Sequence, residues 1–183
     1  MAMSYSDYLY LNQLLSLQQP RSPQPAHDEW LFITIHQSYE LWFKQVLLEL
    51  EAVNGHFSAG RVQISADGLN RVLTIWKSLV SQADILETMT PTSFNAFREY
   101  LGSASGLQSC QFREIEFLLG AKSDKVLQRF AEGGAERDRL SRRYMSATLY
   151  DGFLGLLNRC GYTVPRAVLE RDVTQPLAEL PDV

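Results

Sequence analysis

Apolar side chains recur every three or four residues through most of the chain, and nowhere do they alternate convincingly with period two. The pattern predicts an all-α protein: a helical bundle with two long core helices and an N-terminal arm. The first long helix runs from His27 to about Phe57. Leu31, Ile35, Trp42, Val46, Leu50 and Val53 follow one face, and Phe32, His36 and Phe43 follow an adjacent one. A helix apolar on two faces is largely buried. Asp28 and Glu29 open it and suit the positive end of its dipole. The second long helix runs from Val62 to about Glu87, with Leu69, Val72, Leu73, Trp76, Leu79 and Val80 as its stripe.

Shorter elements surround these two. Residues 1–18 form an arm in which Tyr8, Leu11, Leu14 and Leu15 recur at helical spacing. Residues 19–26 hold Pro20, Pro23 and Pro25 and read as a linker, because each proline removes a donor and biases its predecessor to extended geometry. Pro91 suits the first turn of a short helix through Tyr100. Residues 102–106, Gly-Ser-Ala-Ser-Gly, form a small-residue loop. Residues 107–119 are helical again. Residues 125–131 and 136–143 are short and polar, residues 148–158 are amphipathic, and a weak helix begins at Pro165. The main helical domain is thus expected over residues 27–172, with an irregular tail over 173–183. The chain stops without a closing element for its long helices.

Composition narrows the classes. The chain has 183 residues, 45% of them hydrophobic and 21% charged, which fits one sizeable core. Its net charge of −4 gives no global basic field for nucleic acid or an anionic membrane. Lys and Arg gather over residues 122–143 with Asp and Glu interleaved, which reads as a solvated helix face. The two cysteines, Cys110 and Cys160, form no CxxC pair and no secretory signal precedes the first helix. A cytoplasmic setting, with both thiols in or near the core, follows. The apolar runs are too short to span a bilayer.

The candidate chemistry centres on His36. The histidines are His27, His36 and His56, and the residues three before them are Gln24, Ile33 and Val53, so no Glu-x-x-His di-iron pattern exists. No metal cluster, nucleophile elbow or phosphate loop is present. His36 closes the apolar run Phe32-Ile33-Thr34-Ile35-His36. It is either a core histidine satisfied by a neighbour such as Glu40, or a neutral hydrogen-bonding group facing a cavity with Phe32 as apolar wall. Arg98 lies one turn after Phe94. It is either half of a surface ion pair with Glu99 or Glu87, or a planar fork for a carboxylate. An aromatic wall, a neutral imidazole and an arginine together suit an aromatic amino acid.

Several linked motifs then resemble those of tryptophan 2,3-dioxygenases. They are His27-Asp28-Glu29, Leu31-Phe32-Ile33, the run from His36 through Lys44, residues 85–90, and Phe97-Arg98-Glu99-Tyr100-Leu101. Ala104-Ser105-Gly106, Gln108-Ser109, Phe112-Arg113 and residues 116–120 continue the likeness in order. The resemblance implies an all-helical haem b oxidoreductase of tryptophan catabolism. Such an enzyme inserts dioxygen across the indole C2–C3 bond of L-tryptophan, giving N-formylkynurenine on the kynurenine pathway. It implies that His36 is the catalytic residue, accepting the indole N–H hydrogen bond. Phe32, Ile33, Thr34, Ile35, Phe94, Arg98 and Ser105 join it at the substrate, with Arg98 on the carboxylate. Leu101, Ala104, Ser105 and Gly106 lie at the haem. Tyr5, Tyr8 and Leu9 match an arm that reaches a neighbouring subunit's site in a homotetramer.

Three positions depart from the family pattern. The family's proximal haem ligand is a histidine near a Trp-Arg-x-Arg-His run, and here no such run exists and no histidine follows His56. Ala83-Asp84 stands where an aromatic is usual, and Ser103 replaces a common proline. The resemblance therefore implies the N-terminal, substrate-side portion of the family fold, its C-terminal part missing. A related haem oxygenase acting on another indole or aromatic amino acid stays open. So does a haem-free helical binding or assembly module.

Overall fold

In a computed structural model, which describes residues 3–24, 26–102, 104 and 106–175, the long periodic segments are long helices. Helix α3 is His27–Ser58 and α4 is Val62–Leu86. No strand occurs among the described residues. The chain divides into two compact units: Met1–Tyr39 with Leu79–Gln108, and Glu40–Ser78 with Ser109–Val183.

The first unit begins with two single turns, α1 (Tyr5–Tyr8) and α2 (Leu11–Leu14), rather than one amphipathic helix. Ser4 caps α1 by accepting from the Asp7 N–H, and Tyr10 breaks the run with φ 52°. The helix expected from Pro91 to Tyr100 is also divided. Thr90 caps α5 (Pro91–Asn95) by accepting from Ser93 N–H at 3.1 Å, and Pro91 fits its first turn. The chain then tightens into a 3-10 turn, Arg98–Leu101, which ends at Gly102 with φ 57° and ψ −124°. A side chain does not fit that backbone conformation, so glycine closes the turn. Phe97 is fully buried against Phe32 and Phe94, at ring-centroid separations of 5.5 and 5.4 Å.

The second unit holds most of the apolar core. Val46, Leu50, Val53 and Phe57 descend one face of α3 and are almost fully buried. Helix α6 (Cys110–Leu118), α7 (Asp124–Leu127), α8 (Ala135–Met145), α9 (Leu149–Arg159) and α10 (Arg166–Leu169) complete it. The helix expected from residue 107 starts only at Cys110, after a 3-10 turn at Gly106–Gln108, because Ser109 caps it by accepting from Phe112 N–H. Phe117 and Leu140 are fully buried beside Cys110. Close approach needs glycine at Gly68, where a Cβ would sit 2.6 Å from Val53 Cγ2, and at Gly152, where one would run into Asn54 Oδ1.

Several side chains differ from their expected places. Trp42 on α3, and Leu73 and Val80 on α4, are exposed, whereas Ile75 is buried in place of Leu73. A stripe read at fixed spacing marks an apolar band but does not say which edge of the band meets a neighbour. Cys160 is exposed rather than near the core, although Cys110 is buried. Residues 122–143 are not simply a solvated face. Lys122 Nζ donates to the carbonyls of Tyr144 and Ser146, Arg137 donates to Leu127 and Phe130 carbonyls at 3.0 and 3.1 Å, and Arg143 pairs with Glu51. Lys122 and Arg137 thus serve carbonyls at or just beyond helix ends, where a long side chain can keep its stem on apolar surface. Burial pushes the Lys122 ammonium down from its usual range.

Candidate functional site

The site forms in the first unit because two local spacings meet. Phe32 and His36 are one turn apart on α3, and Phe94 and Arg98 are four apart across α5 and the following turn. With Leu101, Gly102, Ala104 and Gly106 they line a cavity of about 360 Å³. Phe32 and Phe94 form its apolar wall, with ring centroids 5.9 Å apart, and Phe97 backs both. The residues at 102, 104 and 106 bring little side-chain bulk to its lining.

His36 has a defined tautomer. Its Nδ1 lies 2.8 Å from the Phe32 carbonyl oxygen, which can only accept. Nδ1 therefore carries the hydrogen, and Nε2 of the neutral ring keeps a lone pair. A Cβ placed on Gly106 would lie 3.9 Å from that Nε2, so the lone pair faces the loop side of the cavity. Glu40, the neighbour that could have satisfied His36, is engaged elsewhere: its carboxylate and its carbonyl both accept from Gln111 Nε2, at 2.7 and 2.9 Å.

Arg98 is exposed, and its guanidinium carbon lies 5.6 Å from the centre of the Phe94 ring. Among the described residues it forms no ion pair, with Glu99, Glu87 or any other carboxylate. The stacking holds the plane of the fork while leaving its N–H groups free.

The other expected site residues fall in three places. Ile33, Thr34 and Ile35 do not line the cavity; Ile35 is buried in the core and Thr34 is exposed. Tyr5, Tyr8 and Leu9 lie on the arm, exposed within this chain and away from the cavity lining. Ser105 lies outside the described residues, as does Ser103. Gly102 and Phe97 were not singled out by sequence reasoning. Phe97 carried a signal, since it sits one turn after Phe94; Gly102 carried only its place in the small-residue loop.

The protein-family model for tryptophan 2,3-dioxygenase matches residues 1–142. The chain belongs to the tryptophan 2,3-dioxygenase family. A tryptophan 2,3-dioxygenase of Herpetosiphon aurantiacus is 50% identical over 182 residues, covering 100% of this chain and 70% of the relative. One of a Nocardioides species is 50% identical over 165 residues, covering 87% of this chain and 62% of the relative. One of an Anaeromyxobacter species is 45% identical, covering 90% and 61%. The chain thus spans between 61% and 70% of the length of these relatives. The family match reaches across all the cavity-lining residues.

Among the described residues no group of three or more His, Cys, Asp or Glu side chains is placed to hold a metal ion. Among them, too, no helix is long and apolar enough to cross a membrane.

Proposed function

We propose that this chain forms the substrate side of a haem-dependent tryptophan 2,3-dioxygenase, which cleaves the indole C2–C3 bond of L-tryptophan with dioxygen to N-formylkynurenine. The observation that carries the reading is the pairing, on one cavity, of an imidazole lone pair with an arginine fork that has no ion-pair partner among the described residues. An indole N–H matches the first and an amino-acid carboxylate the second. Phe32 and Phe94 supply the apolar wall between them.

The residues present fit one face of a haem. Ala104, Gly102 and Gly106 present little bulk, and a Cβ added at Gly102 would meet nothing within 4 Å. Leu101 adds an apolar edge. Among the described residues the imidazole lining the cavity is that of His36, whose Nδ1 is already committed to the Phe32 carbonyl, so these residues would hold the macrocycle by packing against it. When bound, the haem iron supplies the dioxygen chemistry that side chains cannot. The chain's own residues bind and orient. Arg98 holds the carboxylate through charge-assisted hydrogen bonds. His36 Nε2 accepts the indole N–H and fixes the ring's rotation, an orienting role that needs no strong base. The aromatic wall excludes water from the ring.

The reading carries with it a cytoplasmic homotetramer in which Tyr5, Tyr8 and Leu9 reach the site of a neighbouring copy. Their exposure here supports that, since large aromatics left in water favour a partner. A related substrate, such as a substituted indole, would use the same two polar contacts. A haem-free module that only assembles would have no use for either of them, whereas one that binds an aromatic amino acid would use both.

Calorimetry with ligand analogues tests the reading. Arg98→Ala should weaken L-tryptophan binding by about 1.5–3 kcal/mol, the range for a hydrogen bond to a charged group, and should leave tryptamine, which lacks the carboxylate, unaffected. His36→Ala should weaken L-tryptophan but not its N1-methyl derivative. Unchanged L-tryptophan affinity in Arg98→Ala would sink the assignment.

A further inference from the structure

Glu29 is a buried carboxylate that the substrate reading leaves unused. Its side chain is 1% exposed, in the first turn of α3. The sequence suggests that it answers the helix dipole, but its oxygens turn back onto the linker. Arg21 N–H donates to Oε1 at 2.6 Å, Ser22 N–H donates to the same oxygen at 3.3 Å, and the Ser22 hydroxyl donates to Oε2. Ser22 is itself buried. Eight residues further along α3, about 12 Å at the helical rise, Gln37 makes a second attachment. It accepts from Gln18 Nε2 at 2.5 Å and donates to the Leu17 carbonyl at 3.1 Å. The two attachments bracket Phe32 and His36 in sequence. Residues 17–22 are therefore a strap laid along the site helix, not the free linker that Pro20 and the prolines after it imply.

We propose that Glu29 is a positioning residue: its carboxylate clasps Arg21 and Ser22, fixes the strap on α3, and so sets the direction in which the arm bearing Tyr5, Tyr8 and Leu9 leaves the site helix. The clasp stands on the geometry alone; the destination of the arm rests on the function proposed above. A carboxylate suits the task because it only accepts, and here two N–H groups and a hydroxyl converge on it. An amide would bring its own NH₂ against those donors.

Trypsin tests the clasp on the full chain. The Arg21–Ser22 bond carries an exposed arginine, yet its flanking N–H groups are held by Glu29, so it cannot extend into the protease cleft. Glu29→Gln should raise cleavage after Arg21 at least tenfold, while cleavage after exposed Arg61 stays constant. Ser22→Ala should give a smaller rise, and Ser22→Thr, which restores the hydroxyl, should return it towards the parent. If Glu29→Gln loosens the whole fold, cleavage at Arg61 rises with it, and the Ser22 pair decides instead. Equal cleavage after Arg21 in parent, Glu29→Gln and Ser22→Ala overturns the clasp. L-tryptophan affinity, measured on the same variants and on Tyr8→Ala, reads the arm. A several-fold loss in both Tyr8→Ala and Glu29→Gln supports positioning. A loss in Tyr8→Ala alone overturns the positioning role. No loss in Tyr8→Ala removes the arm from the site and leaves the clasp to the cleavage result.

Discussion

The two units of this chain are stabilised by different means. In the second, Val46, Leu50, Val53, Phe57, Phe117 and Leu140 are almost wholly withdrawn from water. In the first, the buried hydrophobic residues among those described are Ile35, Leu79 and Phe97. The first unit relies instead on polar attachments at Glu29 and Gln37 and on contacts among Phe32, Phe94 and Phe97. Phe32, Phe94 and Leu101 turn their apolar surface to the cavity instead of to a core. A binding site keeps hydrophobic groups available for a ligand, and whatever it keeps available cannot also fill a core. Regions with few buried apolar contacts open at lower free energy. The site unit is thus the softer one.

The largest effect should come from deleting a buried ring. Phe117→Ala should lower global stability by about 3–5 kcal/mol in urea unfolding. Phe97→Ala should act more locally, lowering hydrogen-exchange protection of residues 91–102 while amides around Phe117 keep theirs. Equal loss of protection in both regions would break the contrast between a core unit and a site unit.

Glycine substitutions sharpen it at intermediate size. Gly152→Ala drives a Cβ into Asn54, on well-packed helices, and should destabilise by about 1–3 kcal/mol. Among the described residues the Cβ of Gly106→Ala meets His36 Nε2 alone, at van der Waals distance, so stability should stay within about 0.5 kcal/mol. It should nevertheless weaken L-tryptophan binding, because the added methyl occupies the cavity.

Acid provides a third comparison, since each unit holds a partly or wholly buried carboxylate with a depressed pKa, Asp151 in the second and Glu29 in the first. Burial opposes the charge on Asp151, but hydrogen bonds from Arg171 and Thr148 outweigh it. Burial likewise opposes the charge on Glu29, and donors from Ser22 and Arg21 outweigh that. A folded pKa below the unfolded one contributes stability at pH values above the unfolded value, about 4 for these groups. That stability is lost as pH falls through the folded pKa. Hydrogen exchange between pH 7 and 3 should show both regions loosening at the acid end. Asp151→Asn should flatten the response of the second unit alone, and Glu29→Gln that of the first alone. The smallest effect belongs to Tyr8→Ala, at a side chain 70% exposed, where the thermal midpoint of the isolated chain should hardly move.

The sequence by itself determined the helical class and the two long helices, because period-3.6 patterns sustained over seven turns leave no other regular structure. It also placed Phe32 with His36, since residues four apart on one helix share a face whatever surrounds them; Arg98 stacks on Phe94 although the helix expected through both is divided. The family motifs added the chemistry those pairs serve. Only the tertiary structure decided which edge of each stripe is buried. That is why Ile75 lies inside and Leu73 outside, because the choice depends on the neighbour and not on the spacing. The same limit applies to the helix through Tyr100, where the turn at Arg98–Leu101 follows from packing Phe97 inward. It applies as well to His36, whose hydrogen-bond partner could be Glu40 until Gln111 is seen to engage that carboxylate. Glu29 is the plainest case. Its position announces a helix start, but the clasp on Arg21 and Ser22 needs the chain to fold back from a distance that no local pattern encodes.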